Sequence, residues 1–147
     1  MSKKLSYKGK LAIGEQDRIK LSTINGKRGY KINKFQIIST TPGGSNAEFV
    51  GQITKSDQTG SISATVDFTD SELLAVAYLA DRTTNEGSME TIIFDNEKFN
   101  QDIFINITDT TGGTVPCNYY IELETMDLTE LESTMMTLQS LRTLASR

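Results

Sequence analysis

The chain of 147 residues has no histidine, no tryptophan, one cysteine and two prolines. Without histidine it lacks the side chain that titrates nearest neutral pH and the commonest metal ligand. A single cysteine excludes an intrachain disulfide and a cysteine-rich zinc site, and Cys117 reads as a small buried strand residue. No apolar run reaches the roughly 18 residues that a membrane-spanning helix requires. Residues 1–8 are charged and carry no apolar stretch, so no signal peptide is expected. The chain is expected to be soluble and made in a cytosol. No nucleophile–base pair can be assembled around histidine, so no enzymatic activity is expected, and no cofactor or metal.

What the chain does have is β-branched residues, serine and threonine, arranged in short runs between turn signals. Residues 18–24 alternate apolar and polar, as do residues 61–68, with Ile62, Ala64, Val66 and Phe68 expected inward. In residues 30–39 the apolar parity switches near Asn33 and Lys34, which predicts a β-bulge or a strand that crosses between sheets. Asn25-Gly26 carries hairpin chemistry. Residues 69–72 carry capping signals and predict a short helical turn leading into a strand over 73–80. Phe99 is expected to plug the core. Residues 102–108 and 117–126, separated by Gly112-Gly113, predict a closing hairpin.

The expected fold is mainly β: a single antiparallel β-sandwich or jelly-roll-like domain of eight to ten strands with a C-terminal amphipathic helix. Residues 1–10 are expected to form a basic arm or an edge strand, residues 11–126 the sandwich and residues 127–147 the helix. That helix rests on an apolar stripe that includes Leu128, Leu131, Met135 and Leu138, with acids at its start and Arg142 and Arg147 at its end. The stripe fits packing against the parent domain or docking on a neighbouring subunit.

Charge is distributed unevenly. Residues 1–34 hold ten of the fifteen Lys and Arg and only two acids, Glu15 and Asp17, a balance of +8. Residues 35–147 hold five basic and seventeen acidic side chains, a balance of −12, which gives −4 overall. Such polarity concerns association rather than fold. The candidate partner-binding residues are therefore Lys3, Lys4, Lys8, Lys10, Lys27, Arg28 and Lys31, with Leu131, Met135 and Leu138 as a candidate oligomer seam. The basic cluster around Tyr30 has the composition of a nucleic-acid contact, but the acidic remainder would repel phosphate.

Familiar catalytic and ligand motifs are missing. Residues 41–45 lack the Gly-Lys-Ser/Thr ending of a phosphate loop. Residues 57–61 lack the oxygen-ligand series of a calcium loop. Glu122 and Glu124 share a strand face as a glycosidase pair would, but a solvated strand face explains them more simply.

Three stretches carry a resemblance. Residues 64–78 (ATVDFTDSELLAVAY), 93–104 (IFDNEKFNQDIF) and 117–124 (CNYYIELE) resemble a family of small virion structural proteins of marine tailed phages, over about residues 10–142. The resemblance implies a capsid decoration, or cement, protein that binds the major capsid protein lattice or other virion proteins. It further implies self-association and residence in the virion after assembly in the host cytoplasm. The alternative is a tail, baseplate or receptor-binding module, whose loops would grip glycans with Asn118, Tyr119 and Tyr120. The shared motifs contain no catalytic residues.

Overall fold

The structure, a computed structural model, describes residues 3–21, 27–83, 87–94, 97–128 and 135–138. It is a mainly β domain of two antiparallel sheets with one short C-terminal helical segment, residues 135–138. The strands are β1 (Lys4–Leu11), β2 (Gln16–Ile19), β3 (Arg28–Ser39), β4 (Glu48–Thr54), β5 (Leu73–Ala80), β6 (Ser88–Ile93), β7 (Ile103–Asp109) and β8 (Cys117–Asp127). One sheet has the order β1-β8-β3 and the other β2-β7-β4-β5-β6.

The inner faces of the two sheets share one hydrophobic cluster. Ile32, Phe35, Ile37, Ile121 and Leu123 come from the small sheet; Phe49, Ile53, Ile103, Ile105 and Ile107 come from the large one. Strict alternation along β8 buries every odd residue from Cys117 to Thr125. Glycine in β4 has a packing reason. A Cβ on Gly51 would lie 3.0 Å from Cζ of Phe35 on the opposite sheet, so its bare backbone makes room for that ring. Gly9 does the same for Tyr119, whose ring lies over it from the paired strand. Phe99 is buried and stacks on Tyr30 with centroids 6.0 Å apart, as its predicted plug role requires.

The parity switch in β3 is a bulge: its register against β8 shifts between Ile32 and Lys34. Residues 4–11 form an edge strand paired with β8 along their whole length. Their inward side chains include Leu5, Tyr7 and Leu11.

Several local expectations are overturned by the topology. Residues 102–108 and 117–126 do not form a hairpin, because β7 and β8 lie in different sheets and residues 110–116 cross between them. Asp109 organises that crossing, taking the amides of Glu48 at 3.2 Å and Thr111 at 2.9 Å on Oδ1. Asn25-Gly26 lies outside the described residues, but the strands around it, β2 and β3, are also in different sheets and make no hairpin. Turn chemistry reverses the chain; it does not choose the sheet to which the chain returns.

Residues 61–68 form no strand. Val66 is 40% exposed and Phe68 56% exposed, while Ile62 and Ala64 are only half-buried. Instead of joining a ladder, the carbonyls of Ser63 and Thr65 accept hydrogen bonds from Gln52 Nε2. The segment lies over the outer face of the large sheet, where Ala64 packs on a small cluster of Val50, Leu73 and Val76 and Phe68 meets Phe94 edge-on with ring centroids 5.3 Å apart. Residues 69–72 fall in two successive β-turns, 67–70 and 70–73, rather than in a helical turn. Leu73 N donates to Asp70 O at 3.2 Å, and Asp70 Oδ1 takes the amide of Glu72. The strand expected after it is β5.

Candidate functional site

The outer face of the small sheet collects the basic residues of the front of the chain. On β1, alternation turns Lys4, Lys8 and Lys10 outward. On β3 the bulge decides the matter. Lys31 and Lys34 are three residues apart and would point to opposite faces of a regular strand. The extra residue, Asn33, restores both to the outer face, where Lys31 is paired with Glu124 and Lys34 with Glu122.

The face is built in cross-strand rows with β8 in the middle. Lys4, Glu124 and Lys31 form one row; Ser6, Glu122 and Lys34 the next. Lys8, Tyr120 and Gln36 follow, then Lys10, Asn118 and Ile38. Five lysines thus flank two glutamates and leave three positive charges in excess. Lys31 Nζ lies 3.7 Å from Glu124 Oε2, and Asn33 Nδ2 donates to Glu124 Oε1 at 3.2 Å. At this exposure such an ion pair contributes at most about 1 kcal/mol. Its significance lies in pattern: each glutamate faces a lysine on either one or both neighbouring strands, an arrangement suited to a solvated charged face.

Of the residues singled out from sequence, Lys4, Lys8, Lys10 and Lys31 are brought together here. Lys3 is exposed beside them, its amide donating to Thr125 Oγ1 at 3.0 Å. Lys27 and Arg28 are exposed at the start of β3, where Arg28 pairs with Asp127. Met135 and Leu138 are 53% and 55% exposed on the helical segment, away from the lysine rows in sequence; Leu131 lies outside the described residues. Sequence reasoning left out Gln36 and Ile38 as members of the face, and took Lys34 only as part of the basic cluster around Tyr30. The parity switch was the signal that would have placed them. Ile38 is 55% exposed and, with Tyr120, gives the charged face two apolar contacts.

Tyr119 belongs to the interior, not to a glycan-gripping loop. It is 7% exposed and its hydroxyl donates to Asp17 Oδ2 at 2.8 Å, tying β8 to β2 across the two sheets. Burial first, and then the bond to Asp17, push its pKa well above the usual phenol value. Burial likewise pushes the Cys117 thiol up to about 12.

The outer face of the large sheet has the opposite sign. The loop 55–72, which lies over it, carries Asp57, Asp67, Asp70 and Glu72 against Lys55 alone. Because the sheets bury their inner faces against each other, these two outer faces point away from one another. Part of the polarity along the chain thus becomes polarity across the molecule. Among the described residues, no three of His, Cys, Asp or Glu are grouped so as to hold a metal ion. Nor is any helix among them long and apolar enough to cross a membrane. No family model, no curated protein and no solved structure matches the chain.

Proposed function

We propose that the chain is a non-enzymatic virion structural protein, a capsid decoration protein whose lysine-flanked small sheet docks on an acidic surface of the major capsid protein lattice. The observation that carries this reading is the face itself: five lysines around Tyr120 and Ile38 on one rigid sheet. Charged rims of this kind speed encounter and select partners of opposite sign, while buried aromatic and aliphatic groups supply the contact energy.

Strand order supports the same reading. A jelly roll is a long antiparallel ribbon rolled into two sheets, with neighbours 1-8, 8-3 and 3-6 in one and 2-7, 7-4 and 4-5 in the other. Five of those six neighbours occur here; only 3-6 is replaced, by 5-6. We therefore read the fold as a jelly-roll-like sandwich, an architecture used in viral capsid and lectin domains, with residues 135–138 as one turn of an amphipathic C-terminal helix. Architecture sets a class of roles and not a role, so the charged face has to supply the rest.

The test is a charge reversal. Lys8→Glu, Lys31→Glu and Lys34→Glu together should weaken sedimentation with capsids by about tenfold or more at about 0.1 M salt. The wild type should lose binding as salt rises. Unchanged binding by the triple variant, with folding intact by circular dichroism, would remove the docking face. Binding to tails and not to capsids would favour the tail-module reading.

A further inference from the structure

The loop 55–72 is fastened to the outer face of the large sheet by side chains. Gln16 Nε2 donates to Asp57 Oδ1 at 2.7 Å, and the amide of Gln58 returns a bond of 2.7 Å to Gln16 Oε1. Gln52 Nε2 donates to the carbonyls of Ser63 and Thr65, at 3.1 Å each. Between loop and sheet lies a polar cavity of about 140 Å³. Asn106 of β7, placed between Gln16 and Gln52 in the cross-strand row, lines it from the sheet side. Asn106 is 3% exposed, and its Oδ1 has no hydrogen-bond partner. A buried amide oxygen without a partner calls for a donor or a cation, because it has given up its water.

The loop offers the cavity carboxylates. Asp67 and Asp70 both line it. Each uses Oδ1 to close its own turn, Asp67 on the amide of Thr69 and Asp70 on the amide of Glu72, both at 2.9 Å. That leaves Oδ2 of each without a hydrogen bond among the described residues. No lysine or arginine lines the cavity to neutralise them, and no aromatic ring lines it on which a sugar would stack. Two carboxylates, an orphaned amide oxygen and neighbouring hydroxyls form a set of oxygen acceptors without a matching positive charge.

We propose that this cavity binds a hard divalent cation, Ca²⁺, which cross-links the loop to the sheet through Asn106 Oδ1 and the carboxylates of Asp67 and Asp70. Ca²⁺ suits the set better than Mg²⁺. It accepts mixed carboxylate and amide oxygens in flexible geometry, whereas Mg²⁺ demands near-ideal octahedral order and keeps more of its water. The residues come from a loop and from a strand far away in sequence, so no contiguous calcium-loop spacing is required.

The test uses the full chain stripped with EDTA and titrated with CaCl₂ by calorimetry and by thermal unfolding. One Ca²⁺ per chain is expected, with the midpoint rising by roughly 8 °C at a hundredfold excess over Kd, and a smaller rise with MgCl₂. The exposed pair Asp67→Asn and Asp70→Asn should keep the fold and lose the Ca²⁺ response. Asn106→Asp should lower the midpoint in EDTA and regain it in Ca²⁺, a rescue that a purely structural asparagine would not give. No heat of binding, or a midpoint shift retained in the Asp67→Asn/Asp70→Asn variant, would overturn the proposal and leave the cavity to water.

Discussion

Cys117 shows what burial alone does to a reactive group. Its side chain is fully enclosed on β8, and the enclosure holds the thiol protonated up to about pH 12 instead of its ordinary 9.0. The unfolded chain therefore sheds a proton, between about pH 9 and about pH 12, that the folded chain retains. Stability from this source is fully present below about 9 and is lost as pH climbs through that window. Tyr119, raised from 10.0 by burial and by Asp17, works in the same direction. Urea midpoints should fall from about pH 9 upward, and Cys117→Ala should flatten part of that fall. Iodoacetamide should modify Cys117 only as fast as the chain unfolds; native and urea-unfolded protein reacting at equal rates would contradict its enclosure. Single residues of this kind were legible in the sequence. Cys117 sits in a run whose neighbours of one parity, Tyr119, Ile121 and Leu123, are all apolar, and Phe99 is the one large apolar side chain of an otherwise polar corner, residues 95–102. Val66 and Phe68 sit in an equally alternating run and are exposed, because alternation states which residues would share a face and not whether a partner strand exists.

At the scale of elements, β1 and the β3 bulge matter most. Residues 4–11 are basic on one side and apolar on the other, so their charge does not make them a detachable arm. Leu11 is buried, and Leu5 and Tyr7 pack half-buried on the core. Full burial of such a side chain stabilises by about 1.5–3 kcal/mol and half-burial by a fraction of that. β1 also supplies the backbone ladder to β8. Deleting residues 1–10 should therefore lower the thermal midpoint by roughly 10 °C or more, or prevent folding. Lys4→Gln, Lys8→Gln and Lys10→Gln together should leave the midpoint nearly unchanged. A truncated chain that unfolds at the wild-type temperature would show that β1 is dispensable. The bulge was legible because Tyr30 and Ile32 share one parity and Phe35 and Ile37 the other, and a single strand buries both pairs on one face only by inserting a residue between them. The hairpins were misread because Asn-Gly and Gly-Gly turns are local, while sheet membership is decided by pairing with strands far away in sequence. Here, of the seven steps from one strand to the next, only β4 to β5, β5 to β6 and β6 to β7 stay within a sheet, and only the first two join paired neighbours.

For the whole molecule, two features belong together: an order of strands that rolls the chain into two packed sheets, and outer faces of opposite charge. The +8 and −12 halves of the sequence predicted polarity but not its direction in space. Glu122 and Glu124, acids of the second half, stand in the middle of the basic face, and the basic excess survives only because β1 and β3 flank β8 on both sides. No reading of residue order alone places β8 between them. The candidate cation pocket was equally hidden, since Asn106 and the aspartates of the loop meet only after β4, β5 and β7 have paired. The most direct measurement is cryo-electron microscopy of purified virus particles that contain the chain. The expected result is density for the two-sheet domain repeated over the capsid lattice, with the β1-β8-β3 face turned towards the major capsid protein. Particles without the chain, or a lattice contact made by the outer face of the β2-β7-β4-β5-β6 sheet, would contradict it.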